Sequence, residues 1–299
     1  MHTPPIRLDA ATTGLLFLLA LVWGGSFFLA EIALRALPPF TLVLLRTSLA
    51  LPVLLVALRL HNLRMARGWA IWRTYAVMGV LNNAIPFSLI FWGQTQISSG
   101  LAAILNGTTA LFGVVVAALV FVDERFTAHK LGGAVLGLLG VAVIIGPDAL
   151  RGVGSASLGQ VAILGAALSY ALASAWARRH LGDQPPLMNA FGMLSTSTVI
   201  MLPIVLLTEG VPQGPLPGSV WAAVLALAVV STALAYQLYF AILPRAGSAN
   251  LMLVTLLIPP CAIALGALFL GEQLTPEAWI GFAIIAAGLL ITDGRVLRR

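Results

Sequence analysis

The chain reads as an all-α, polytopic membrane protein, with ten transmembrane helices arranged as two inverted five-helix repeats. Three observations carry this. The 299 residues are 60% hydrophobic and 9% charged, with a mean hydropathy of +1.02, where a soluble domain has roughly 25% charged residues. Lys and Arg concentrate on alternate connections between apolar stretches. A short stretch, LVFVDERFT at 119–127, returns as ALFLGEQLT at 267–275, an offset of 148 residues.

A span needs about 20 mostly apolar residues, and ten stretches qualify. The first, 11–37, follows Arg7; its apolar run continues to Leu37 with no small-x-small site before Trp23, so it is expected to be a retained helix rather than a signal peptide. The second, 39–58, opens after LPP at 37–39 and carries Arg46. The third, 74–95, holds Asn82, Asn83 and Pro86, and the fourth, 98–122, ends at VDER. The fifth, 127–147, has the Gly133-to-Gly137 spacing of close helix approach, expected to pack within the monomer. GPDALRGVGSAS precedes the sixth, 158–179, and GDQPP the seventh, 186–208. EGVPQGPLPG precedes the eighth, 219–243; the ninth, 247–270, contains Pro259 and Pro260; the tenth is 275–293.

Orientation follows from the basic residues. With the N-terminus inside, the inner segments hold Arg7, Arg59, Arg64, Arg67, Arg73, Arg125, Lys130, Arg178, Arg179, Arg245, Arg295, Arg298 and Arg299. The outer ones hold Arg35 and Arg151 alone. Positive-inside bias therefore predicts both termini in the cytoplasm of a multi-pass protein in the bacterial inner membrane. The same bias accounts for the net charge of +6 without nucleic acid.

At the 148-residue offset Phe121, Glu124 and Thr127 match Phe269, Glu272 and Thr275, and Gly133 and Gly140 match Gly281 and Gly288. The offset carries spans four and five onto nine and ten, so residues 1–149 and 150–299 are expected to be five-helix repeats forming one transport unit. Five is odd, so the halves insert in opposite senses, as in many secondary transporters.

WGGSFF at 23–28, the Arg in LLRTSLALP at 44–52, and the DER and GEQ turns after spans four and nine resemble the drug/metabolite transporter superfamily, EamA type. The resemblance covers nearly the whole chain. Within that family the chain looks most like the YddG-type aromatic amino-acid exporters, which implies a small-solute exporter working by alternating access.

Polar side chains in a span usually face the bundle interior. At 100° per residue, Asn83, Phe87, Ile90 and Gln94 share a face of span three with Phe91 at its edge, Trp92 opposite and Asn82 about 100° away. Ser99, Ala102, Asn106, Thr109 and Gly113 form a stripe on span four. Thr232, Tyr236 and Tyr239 share a face of span eight, and Tyr170 and Ser174 one of span six. Pro86 lacks an N–H, so the carbonyl of Asn82 is expected to lose its partner. Pro259 and Pro260 act similarly on Thr255 and Leu256. The expected substrate-binding residues are Trp23, Asn82, Asn83, Phe87, Phe91, Gln94, Asn106, Thr109, Tyr170, Ser174, Tyr236 and Tyr239. For any single amide, a hydrogen bond between helices is the competing role.

Glu31 and Arg35 stand one turn apart, and Arg46 lies roughly 10 Å along span two. Arg46 either pairs structurally with Glu31, the favoured reading, or meets a substrate carboxylate. No carboxylate sits at mid-span, which leaves Glu31 as the sole candidate for proton coupling. There is no HExxH, GxSxG, Walker or Cys/His constellation, so an enzyme, a metal and a cofactor are not expected. Nor is there the charged ring of a channel. The expected cargo is amino acids over a broad neutral range with an aromatic or large-apolar preference; the alternative is another small metabolite or an amphipathic drug. The sequence leaves the oligomeric state open.

Overall fold

The computed structural model describes residues 10–121, 128–145, 155–210, 215–239, 241–242, 245 and 254–293. The VDER turn, the 146–154 connection and the terminal Arg cluster lie outside these. Among the described residues all regular secondary structure is helical, without strands.

Seven helices are long and apolar enough to cross a membrane: α1 (Ala10–Leu34), α2 (Pro39–Leu60), α3 (Trp69–Gln94), α4 (Ser99–Val120), α6 (Ser155–His180), α7 (Pro186–Thr208) and α8 (Gly218–Tyr239). Three shorter apolar helices accompany them: α5 (Ala128–Ile145), α9 (Val254–Leu265, continuing as π-helix over Gly266–Leu270) and α10 (Pro276–Asp293). Large apolar side chains stand on the outer surface, as on Leu207 at 86% and Leu268 at 77% exposure. Such a surface suits hydrocarbon rather than water.

Local chemistry sets the helix ends. Pro39 opens α2 at a position where a missing N–H costs nothing. The Ser98 hydroxyl caps α4 by accepting from the Leu101 amide. Gly271, at φ +68°, ends α9 in the left-handed region that favours glycine.

The main contacts between helices keep their pattern when α1–α5 are exchanged with α6–α10. Helix α1 packs on α9 as α6 packs on α4. Helix α3 packs on α6 and α7 as α8 packs on α1 and α2, while α2–α7, α4–α9 and α5–α10 are self-paired. The α5–α10 seam shows the exchange at atomic detail. A Cβ on Gly140 would fall 2.7 Å from the Gly281 carbonyl oxygen, and one on Gly288 would fall 2.6 Å from that of Gly133 and 2.7 Å from the Gly137 nitrogen. These are the glycines matched in sequence at the 148-residue offset, now paired crosswise. The crossed pairing makes the two helices antiparallel, and the Gly133-to-Gly137 spacing serves this contact inside the chain.

Candidate functional site

A cavity of about 510 Å³ lies between the two halves, within the range of small-molecule sites. Side chains from α1 to α4 and from α6 to α9 line it.

Helix α3 supplies the amide wall, with a correction to the expected face. Asn82 lines the cavity, whereas Asn83 is fully buried away from it with neither side-chain polar atom partnered. The cause is a π-helical turn, Val80–Ala84, in which the Ile85 amide donates to the Val80 carbonyl five residues back. A π turn inserts an extra residue, so the face through Phe87 and Gln94 continues at Asn82 rather than Asn83. The same turn moves the effect of Pro86. Counted five residues back, its missing N–H strands the Leu81 carbonyl instead of that of Asn82, and the Ser169 hydroxyl donates to it at 2.7 Å.

The Asn82 amide donates to the Tyr236 hydroxyl at 3.2 Å and approaches the Met193 sulfur at 3.5 Å. The Gln94 amide nitrogen donates to the Phe27 carbonyl at 2.8 Å, which leaves Oε1 without a partner. Asn106 Oδ1 is likewise unpartnered. Helix α4 breaks beside it at Gly107 and Thr108, a turn the stripe of small residues did not signal. Of that stripe Asn106 and Thr109 line the cavity, while Ser99 turns to Glu272. Tyr170 and Ser174 line the α6 side; the Ser174 hydroxyl donates to the Tyr170 carbonyl at 2.9 Å. Trp23 both walls the cavity and packs on Tyr239 at 5.9 Å between ring centres.

Arg46 belongs to the cavity rather than to a pair with Glu31. Its side chain is 7% exposed, its Nε donates to the Thr232 hydroxyl at 2.9 Å, and its guanidinium lies 4.0 Å from the centre of the Phe87 ring. Phe91 stacks on Phe87 at 6.1 Å. Glu31 lies instead in the field of Glu272 and Arg35, with Oε2 buried and unpartnered. No ion pair joins Glu31 and Arg46 among the described residues, because the arginine turns inward onto α3 and α8. Cation–π contact offers about 2 kcal/mol when desolvated, which does not offset the several kcal/mol cost of a buried charge.

Helix α7 contributes Asn189 and Met193, which sequence reading missed. Their i, i+4 spacing was the available signal. The cavity reaches the α6–α7 turn, where Leu181 and Asn189 line it, and Ser174 on its wall is exposed.

At the opposite end two carboxylates tie helices together. Glu209, after α7, accepts from the Phe40 and Thr41 amides at 3.0 and 2.7 Å and from the Thr41 hydroxyl at 2.7 Å. Glu272, after α9, accepts from the Ser99 and Gly100 amides at 3.0 and 3.1 Å and from the Ser99 hydroxyl at 2.9 Å. Each places a negative charge at a helix N-terminus in the other half, where the dipole and free N–H groups favour it. Among the described residues no group of three or more His, Cys, Asp or Glu is placed to hold a metal.

Comparison with known proteins agrees with this architecture. The profile of the EamA-like transporter family matches twice, over residues 12–146 and 157–292. A probable amino-acid metabolite efflux pump of Salmonella typhimurium is 29% identical, covering 93% of both chains. A probable terminal-alkyne amino-acid exporter of Streptantibioticus cattleyicolor is 24% identical over 95% of this chain and 94% of its own. A solved crystal structure superposes with a TM-score of 0.68 at 22% identity, covering 97% of this chain and 98% of the other, which speaks for the fold alone. With the family profile spanning nearly all of both halves, this multi-pass chain belongs to the EamA-like transporter family.

Proposed function

We propose that the protein exports amino acids from the cytoplasm by alternating access, over a broad neutral range with an aromatic or large-apolar preference. The carrying observation is the cavity itself, which has aromatic, amide and hydroxyl walls and reaches the α6–α7 turn, while Glu209 and Glu272 tie helices together at the other end. The names of the two relatives support amino acids as cargo. Positive-inside bias supports a tied end that faces outside and both termini in the cytoplasm of a bacterial inner membrane. The conformation is then inward-open.

The family profile's double match and the exchangeable helix contacts support ten spans in two inverted repeats, residues 1–149 and 150–299, around one site. Aromatic walls give a stacked ring about 0.5–1.5 kcal/mol, about tenfold at most. That favours mild preference for phenylalanine and tryptophan over alanine, the selectivity of a YddG-type exporter. The test is counterflow in proteoliposomes with labelled amino acids, nucleobases and sugars. Exchange of phenylalanine ahead of alanine, with none of the other classes, is expected. Exchange of a nucleobase or sugar without any amino acid overturns the reading.

A further inference from the structure

We propose that Arg46 is the anchor for a carboxylate on the transported solute, so that a carboxylate is obligatory for recognition and an ammonium group is dispensable. The inference deepens the exporter reading and rests on it.

Arg46 is a buried cation with no counter-ion among the described residues. None of the cavity-lining side chains is Asp or Glu, and no carboxylate pairs with the guanidinium among the described residues. Its contacts hold it without neutralising it. Thr232 accepts a hydrogen bond from Nε and Phe87 covers one face of the plane. The two terminal nitrogens have no protein acceptor among the described residues. Those nitrogens form the edge that receives a carboxylate through two parallel hydrogen bonds. With Nε and the ring face fixed, the fork is pre-oriented, and Phe87 and Phe91 stand beside it for the apolar part of the solute.

Among the described residues the cavity offers nothing comparable to a cation. Its unpartnered acceptors, Gln94 Oε1, Asn106 Oδ1 and Asn189 Oδ1, are neutral amide oxygens. They can accept hydrogen bonds from an ammonium but cannot cancel its charge, and Arg46 repels it. An aromatic amine lacking a carboxylate therefore meets a like charge in a low-dielectric site. An aromatic carboxylate lacking the amine meets a complementary one.

The test compares four compounds sharing one ring: phenylalanine, 3-phenylpropionate, phenylalaninamide and phenethylamine. Each competes against labelled phenylalanine in counterflow, and each is assayed for thermal stabilisation of the purified transporter, which needs no transport. The first two are expected to compete and stabilise, and the last two to act at least tenfold more weakly. Arg46→Gln is expected to erase that difference, and Arg46→Lys to restore part of it. Thr232→Val keeps the charge but frees Nε, and it is expected to weaken both carboxylates severalfold should Arg46→Gln fail to fold. Amines matching the carboxylates in the unaltered protein overturn the proposal. So does a folded Arg46→Gln protein that keeps the original preference. If phenylalanine is not carried, yet 3-phenylpropionate stabilises the protein through Arg46, the amino-acid reading fails and the carboxylate anchor stands. If phenylalanine is carried without regard to Arg46, the anchor fails and the exporter reading stands.

Discussion

Asn82 and Tyr236, 154 residues apart, meet across the cavity through a 3.2 Å hydrogen bond from the amide nitrogen to the phenol oxygen. The side chain of Asn83, the neighbour of Asn82 in sequence, reaches no hydrogen-bond partner among the described residues. The pair predicts opposite outcomes for adjacent residues. Asn82→Leu and Tyr236→Phe are expected to lower phenylalanine counterflow severalfold. Asn83→Leu is expected to retain transport and to be neutral or stabilising, since an unpartnered buried amide costs about 1–3 kcal/mol. Counterflow and thermal unfolding of the three variants check this, and a transport defect confined to Asn83→Leu contradicts it.

The two carboxylate ties predict conformational bias. Glu272→Gln removes the charge from three hydrogen bonds to α4, and bonds to charged groups contribute about 1.5–3 kcal/mol. The outer end is then expected to open more often. A cysteine at Asn106, in a Cys261→Ser background, is expected to react faster with an impermeant thiol reagent added outside when Glu272→Gln is present. Unchanged reactivity argues that the tie does not control access.

Topology has a simple check at two exposed turns. A cysteine replacing Thr95, in the α3–α4 turn, is expected to label from outside intact cells. One replacing Asp183, in the α6–α7 turn, is expected to label only after permeabilisation. The reverse pattern inverts the orientation and makes the present conformation outward-open.

The α5–α10 seam leaves no room for a methyl group. Gly140→Ala is expected to push the helices apart at Gly281 and to destabilise by about 1–3 kcal/mol, as overpacking does. Gly132, one residue from the seam glycine Gly133, has nothing within 4 Å of an added Cβ, so Gly132→Ala serves as the control. Melting temperatures in detergent that fall equally for both variants contradict the seam assignment.

Composition, charge and the 148-residue offset were enough to give a helical membrane protein with a duplicated plan. Spans and turns are written in local chemistry, and lipid leaves the backbone few options besides helix. Faces on regular helix were legible too, since Phe87, Gln94, Tyr170 and Ser174 follow 100° spacing and line the cavity. Both Asn82 and Asn83 were expected at the site, but that the cavity face runs through Asn82 and not Asn83 was not legible, because a π turn breaks that spacing and its five-residue hydrogen bonds leave no mark in an apolar pattern. The partners of Arg46, Glu209 and Glu272 were also decided by tertiary structure alone. Thr232, Thr41 and Ser99 lie 186, 168 and 173 residues from them, and sequence order favours the nearest opposite charge. Packing instead turned Arg46 into the cavity and brought each glutamate to a helix N-terminus in the other half, where free N–H groups were waiting for an acceptor.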